Sequence, residues 1–374
     1  MKHEEVLGEL RKQIDEIDQG LLPLFQKRME VAGEVAQIKQ EHNLPILDAA
    51  REQQVIDKMA SKAEESFQGE VSLLMRTIFA LSKSRQRKVL FSREAPLLPP
   101  AREPVTAGVI CAYQGMQGAW GEQAATGLFP EAQKQAVDYF EDVFAAVKEG
   151  RAHYGIVPIE NSRTGAIGEN YDLLRKYGCY VVGRVGVEIR HCLLAPKGTK
   201  LCDVKEVQSH PQGLSQCQRF LQKHSWEQIS CRNTAVAAQM VADANSGVCA
   251  AIGSRRAAEC WGLEVLVPDI MDHANNKTYF VVIAAQPEYN KECNRVSVTF
   301  STAHRSGALC ETLMPFMAQG VNLARIESRP GTAGNYRFFA DLEGNVLQPE
   351  VASALRQAAS ASEYFEVLGC YKNA

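Results

Sequence analysis

The chain has 374 residues, 45% of them hydrophobic and 23% charged, with a formal net charge of −3. That length exceeds one ordinary hydrophobic core and predicts two or three domains, while the near-neutral charge gives no reason to expect nucleic acid or an anionic membrane as partner. No apolar run approaches membrane-spanning length, and Met1-Lys2-His3-Glu4-Glu5 leads into an amphipathic pattern, so a cytoplasmic protein is expected.

Leu7, Leu10, Ile14, Ile17, Leu21, Leu24, Val31, Val35 and Ile38 follow alternating steps of three and four, which predicts a long helix packed along one seam. Arg28 takes the missing step. Lys39 lies eleven residues, about 1100° of helix turn, further on and so within roughly 20° of Arg28. Two cations then flank one groove. Arg11 is about 26 Å from Arg28 along the axis, so it can act on the same small ligand only from a second chain. Pro23 should kink this helix near Gln19. The pattern breaks at Asn43-Leu44-Pro45 and restarts at Asp48, a good N-cap, through Arg51, Glu52, Val55, Ile56 and Met59. A third helix carries Val71, Met75, Ile78, Ser82 and Gln86. Arg28, Glu52, Ser82 and Gln86 all interrupt apolar stripes, which suggests a polar pocket in a small helical core.

Residues 1–92 resemble the all-helical class of chorismate mutase. The resemblance implies that Arg11, Arg28, Lys39, Asp48, Arg51, Glu52, Ser82 and Gln86 form its active site. Arginines would clamp the two carboxylates of chorismate, and Lys39 and Gln86 would hydrogen-bond the ether oxygen as its C–O bond breaks.

Residues 93–106, with Pro96, Pro99, Pro100 and Pro104, read as a stiffened linker compatible with independent domains. Beyond it, short strands at 109–113, 135–139, 155–158, 180–189, 206–209, 248–252 and 279–284 alternate with helical patterns near 120–128, 141–149, 169–177, 212–224, 234–245 and 254–261. This is α/β, in two sub-lobes. Gly115, Gly118 and Gly121 are spaced G-x-x-G-x-x-G, not as a dinucleotide fingerprint, and suit a loop approaching a small anion at a helix N-terminus. Three strand-end loops are rich in hydroxyls and amides: Glu160-Asn161-Ser162, Ser209-His210-Pro211 followed by Gln216, and Asn275-Asn276-Lys277-Thr278. Loops of that kind build a cleft.

Residues 107–287 resemble prephenate dehydratase, through the Val157–Ser162 segment, Ser209-His210-Pro211 with Gln216, Asn233-Thr234-Ala235 and Thr278. The resemblance implies two α/β lobes of the type II periplasmic-binding kind, with Glu160, Asn161, Ser162, Ser209, His210, Gln216 and Thr278 in the cleft between them. Thr278 would be the hydroxyl that acts on the departing group, with Glu160 or His210 as the source of its proton. The family motif is Thr-Arg-Phe, whereas this chain has Thr278-Tyr279-Phe280. An Arg there would serve as a carboxylate ligand or a structural ion-pair partner, and Lys277, Arg163 or Arg255 could supply the charge instead.

From Asn294 the expected order is strand (296–302), helix (306–318), strand (323–328), strand (336–342), helix (350–360) and strand (364–370), a ferredoxin-like α+β pattern. Residues 292–374 resemble a phenylalanine-binding ACT domain, through Gly307-Ala308-Leu309-Cys310 and Glu327-Ser328-Arg329-Pro330. The resemblance implies an effector site for L-phenylalanine built from Ser306, Gly307, Ala308, Leu309, Asn322, Glu327, Ser328 and Arg329, with Asn322 bonding across a dimer interface. Read without it, Glu327 and Arg329 are a surface ion pair.

Eleven scattered cysteines, with no Cys-x-x-Cys, read as reduced apolar fillers, and neither a metal nor an organic cofactor is expected. The three resemblances together imply a multidomain enzyme of chorismate and prephenate, assembled as a homodimer or tetramer and inhibited by L-phenylalanine. Two alternatives stay open: a phenylalanine sensor fused to a mutase, with a decayed dehydratase site, or arogenate as the dehydratase substrate.

Overall fold

The computed structural model describes residues 2–42, 44, 48–90, 97–330 and 336–373. They divide into two compact units, Met1–Pro96 with Gly307–Leu313, and Leu97–Ser306 with Met314–Ala374. The expected break at Asn43 and Pro45 and the linker positions 93–96 lie outside the described residues.

The first unit contains α1 (Lys2–Glu41), α2 (Ala49–Ala60) and α3 (Gln68–Leu90). Helix α1 runs through Pro23, so the expected kink does not break it. Gln19 is exposed there, and water can take the hydrogen bond that proline cannot donate. The expected packing seam is corrected: all nine of its apolar residues are exposed, Leu24 by 68%. The residues that α1 does bury, Met29, Ala32 and Ala36, occupy a neighbouring stripe, where small side chains permit close approach to α3. One chain offers the seam no partner among the described residues.

The second unit opens with β1 (Ile110–Gln114), α4 (Trp120–Leu128), β2 (Gln133–Val137), α5 (Phe140–Lys148), β3 (Tyr154–Asn161), β4 (Gly165–Ala166), α6 (Gly168–Tyr177) and β5 (Tyr180–Glu188). Then come β6 (Cys192–Ala195), β7 (Glu206–Ser209), α7 (Pro211–Gln216), α8 (Gln218–Leu221), β8 (Glu227–Ser230), α9 (Thr234–Ala244), β9 (Cys249–Gly253), α10 (Arg255–Trp261), β10 (Glu264–Val267) and β11 (Lys277–Ala284). The order β2-β1-β3-β11-β5 makes one lobe and β10-β6-β9-β7-β8 the other. The chain crosses between them at 189–191 and returns at 268–276, which leaves a cleft at the crossings. Strands β6, β8 and β10 are not anticipated by the pattern. Each has four residues, too few for a period-2 signal, and the buried Cys192–Ala195 strand is apolar throughout with no alternation to read. The helix expected over 212–224 divides at Cys217, whose φ of −118° is not helical.

The chain ends with β12 (Arg295–Ser301), α11 (Ala308–Ala318), β13 (Leu323–Pro330), β14 (Tyr336–Glu343), α12 (Pro349–Ala361) and β15 (Tyr364–Tyr371). Strand order β13-β14-β12-β15 is the ferredoxin-like sheet. Its Phe339, Leu368 and Tyr371 share a core with Val157, Ile159, Leu174 and Ile283 of the first lobe. The described part of the linker is pinned too: Arg102 pairs with Glu288 at 2.6 Å, and the Val105 amide donates to the Tyr154 hydroxyl. Segment 97–106 is therefore packed against the rest of the second unit.

Candidate active site

Strands β3 and β11 run antiparallel, with Asn161 opposite Thr278 and Glu160 opposite Tyr279. Side chains alternate along a strand, so Asn161 and Thr278 share the cleft face while Glu160 and Tyr279 share the reverse one. One amide sets the polarity of the whole cleft face. The Oδ1 of Asn161 accepts the backbone N–H groups of Arg163 and Thr164, at 3.0 and 3.1 Å. Its Nδ2 must therefore donate, and it does so to Thr278 Oγ1 at 2.9 Å and to Asn276 Oδ1 at 2.8 Å. Asn276 in turn donates from Nδ2 to Gln216 Oε1 at 3.1 Å. With a lone pair of Thr278 committed to Asn161, its own O–H is left to donate into the cleft. Gln216 likewise has its amide N–H groups left over as donors.

The cleft is about 440 Å³ and is lined by Asn161, Thr278, Asn276, Gln216, His191 and His210, among others. That volume suits a small polar metabolite. Ser162 and Ser209 are spent on structure: Ser162 Oγ accepts the Lys277 amide and Ser209 Oγ donates to the Ile252 carbonyl. His210 caps α7, accepting the Gln212 amide on Nδ1, and burial lowers its pKa. An imidazole committed in this way is poorly placed to hold an extra proton at neutral pH. Among the described residues that line the cleft, Arg232 is the one guanidinium or ammonium. It precedes Asn233, whose side chain caps α9, so a helix N-terminus faces the cleft beside a guanidinium that Asp138 holds, at 3.3 Å from its carboxylate and 2.6 Å from its carbonyl oxygen. Neither Arg232 nor His191 was singled out from the sequence. Each stands alone beside a short strand or a cap, and only the fold brings it to the cleft. Gly118, at φ +88°, has a different task from anion binding: a Cβ there would lie 2.8 Å from Ala257 Cα, where the second lobe meets the first.

On the reverse face, Glu160 pairs with Arg184 at 3.1 Å and with Arg325 of β13 at 3.6 Å. The structure thus takes Glu160 out of the cleft and away from Thr278 as a proton source. Arg184 also lies over the Tyr279 ring, 4.2 Å from its centroid. Lys277 lies over the same ring, its Nζ 5.5 Å from the centroid, so two cations flank Tyr279 on this face.

In the helical unit, Arg28 Nη1 donates to Ser82 Oγ at 2.5 Å and lies over Phe79. Burial lowers the Arg28 pKa, the mark of a cation drawn from water. Glu52 pairs with Lys83 at 3.1 Å. Gln86 is buried, and its Oε1 has no partner. Lys39 is half-buried, whereas Arg11 and Arg51 are exposed. Asp48 caps α2 by accepting the Arg51 amide at 3.0 Å.

In the C-terminal sheet, Gly307 has φ +79° and Ala308 opens α11, with Ser306 exposed before it and Leu309 half-buried after it. Asn322 bonds Glu343 of its own chain at 2.9 Å. Glu327 is half-buried and Ser328 exposed. Arg329 pairs not with Glu327 but with Asp172 of α6, at 3.4 Å. The surface pair expected between Glu327 and Arg329 is replaced by a contact to the first lobe.

Residues 111–288 match the prephenate dehydratase family model and residues 10–87 that of chorismate mutase type II. The bifunctional chorismate mutase/prephenate dehydratase of Escherichia coli K12 is 30% identical over 99% of this chain and 97% of its own. An Arabidopsis thaliana arogenate dehydratase/prephenate dehydratase is 34% identical over 74% of this chain and 78% of its own. Two solved structures each cover 71% of this chain. One is the Arthrobacter aurescens prephenate dehydratase in complex with L-Phe, at TM-score 0.65 and 28% identity over 90% of its chain. The other is GqqA, described as a quorum-quenching acylase, at TM-score 0.66 and 30% identity over 98% of its chain. With both domain models matched and a relative aligned from end to end, the chain belongs to the bifunctional chorismate mutase/prephenate dehydratase family.

Proposed function

We propose that the helical unit rearranges chorismate to prephenate and that the two-lobed cleft then converts prephenate to phenylpyruvate. The observation that carries the second step is the Asn161–Thr278 pair, oriented with a hydroxyl proton facing a metabolite-sized cleft. As the ring C–O bond breaks, hydroxide leaves and takes the Thr278 proton, so that water departs. The electrons of the carboxylate C–C bond complete the aromatic ring as CO₂ is lost. The Nδ2 of Asn161 stabilises the charge then on Thr278 Oγ1, and solvent restores the proton. Arg232 and the α9 N-terminus suit the substrate carboxylates. Glu160 is left out of this scheme, and His210 serves as a wall and cap.

For the first step, Arg28 and Gln86 offer a half-buried cation and a buried amide to a dicarboxylate, and the exposed α1 seam supports pairing with a second chain that supplies Arg11. The C-terminal sheet reads as an ACT domain that senses L-phenylalanine. Support comes from its topology, its core shared with the first lobe, and a Phe-bound relative. Intact cleft hydrogen bonds argue against a decayed dehydratase. The plant relatives favour arogenate as a second substrate to try.

The test supplies pure protein with chorismate and follows phenylpyruvate, with and without L-phenylalanine. Phenylpyruvate from the native protein, and prephenate alone from Thr278→Ala, are expected. Prephenate accumulating with the native protein would sink the dehydratase reading. Turnover of arogenate alone would change its substrate.

A further inference from the structure

A polar chain continues beyond Gln216 to a residue that the mechanism above does not use. His191 lies at the first crossing between lobes, 3% exposed, with its Nε2 3.1 Å from Gln216 Oε1. Asn276 lies at the second crossing and donates to the same oxygen. The two crossings are tied together by the main chain, through Ile189 N–H to Asn276 O at 2.8 Å and Ile270 N–H to His191 O at 3.0 Å. Since Asn161 is fixed by backbone amides, Asn276 must present its N–H to Gln216, so Gln216 must present its oxygen. That oxygen can face His191 only if Nε2 carries the hydrogen. The tautomer then leaves Nδ1 bare, and Nδ1 is buried without a partner in a side chain that lines the cleft beside the edge of Trp120.

We propose that His191 is a positioning residue of the dehydratase: its Nε2–H locks the Gln216 amide so that the remaining N–H groups face the substrate, across the hinge from Thr278. The inference rests on the dehydratase reading of this cleft. Burial holds His191 neutral, with its pKa pushed down to about 4, as a residue serving as donor and not as acid requires. Without the Nε2–H, the Gln216 oxygen keeps only its bond from Asn276 Nδ2, and one hydrogen bond in place of two holds the amide whose N–H groups face the substrate.

Two substitutions divide the ring's functions. In His191→Gln the side-chain amide nitrogen reaches the place of Nε2 and keeps the donor. In His191→Asn the side chain stops at the place of Nδ1 and loses it. With prephenate as substrate, His191→Asn is expected to lower kcat by about 10- to 100-fold with KM changed less, and His191→Gln to recover most of that loss. A Gln216→Leu, His191→Asn double variant should be no slower than Gln216→Leu alone. Equal losses in the Asn and Gln variants, or additive losses in the double variant, would overturn the assignment. Either result is readable only because the native chain turns over prephenate; a native chain that does not overturns the cleft's function instead. Chorismate rearrangement and the melting transition of each variant, expected unchanged, report folding. If the Asn variant melts early, the comparison of Gln216→Leu with Gln216→Leu, His191→Gln decides.

Discussion

Asn161 Nδ2 lies 2.9 Å from Thr278 Oγ1, across one rung of the β3–β11 ladder, and the direction of that bond is forced by two backbone amides on the other end of the same side chain. With one lone pair of its hydroxyl taken by that donor, Thr278 keeps its proton to give. The threonine needs no neighbouring base to be oriented, because the amide orients it.

Asn161→Asp should therefore be far more damaging than its size suggests. One carboxylate oxygen can still accept the Arg163 and Thr164 amides, but the other would draw in the Thr278 proton and turn it away from the cleft. Prephenate turnover is expected to fall by about 10²–10³-fold, comparable to the loss of one oxyanion-hole donor. An Asn161→Asp, Thr278→Ala double variant should be no slower than Thr278→Ala alone, as measured by phenylpyruvate release.

Position 279 should be silent in substrate binding. Tyr279 sits on the reverse face under Arg184, so Tyr279→Arg restores the family residue without adding a cleft cation. The KM for prephenate should stay within about 2-fold, while a third guanidinium crowded beside Arg184 and Arg325 on Glu160 lowers the urea midpoint. Glu160→Gln should likewise act on stability: it leaves Arg184 and Arg325, both mostly buried, without their shared carboxylate, at a cost of about 3 kcal/mol or more.

Acid should weaken the second unit through His191. Its folded pKa is held down to about 4 by burial, against an ordinary value of 6.5. Above pH 6.5 both folded and unfolded chains carry it neutral and it contributes nothing. Below 6.5 the unfolded chain takes up a proton that the folded chain refuses, so stability falls as pH drops from 6.5 to 4, by about 3 kcal/mol in full. Urea titrations at pH 7 and 5 should show a steeper loss for the native chain than for His191→Gln. Equal slopes would place the titrating group elsewhere.

How much of this was legible in the sequence depended on whether a signal was local. Thr278, Asn161 and Gln216 end strands or helices in recognisable motifs, and the α/β alternation placed them near one another. The side to which β3 turns Glu160 was not legible. Two adjacent polar residues at a strand end look alike until the ladder assigns each a face. Arg184 was missed as the partner of Glu160 because the pairing spans β3, β11 and β5, and no spacing along the chain encodes it. In α1 the apolar period predicts a packed seam, but the chain's own packing uses the stripe of Met29, Ala32 and Ala36 beside it.

That unused seam leads to the sharpest test of the helical unit. Leu7, Leu10, Ile14, Ile17, Leu21 and Leu24 are each about half exposed or more, an apolar stripe too long to be left in water. Arg11 lies on the same exposed stretch, about 26 Å along the axis from Arg28, beyond the reach of any ligand that Arg28 holds. If a second α1 covers the seam, each mutase site takes Arg28 from one chain and Arg11 from the other. Arg11→Ala and Arg28→Ala should each be inactive alone with chorismate. After unfolding and refolding together, half of the dimers are mixed, and in each of these one site regains both arginines while the other loses both. About a quarter of the native rate should therefore return. Prephenate dehydration should be unaffected in either variant. A mixture that stays as inactive as its components would show that Arg11 does not complete the Arg28 site of a second chain, and would leave the exposed seam without its partner.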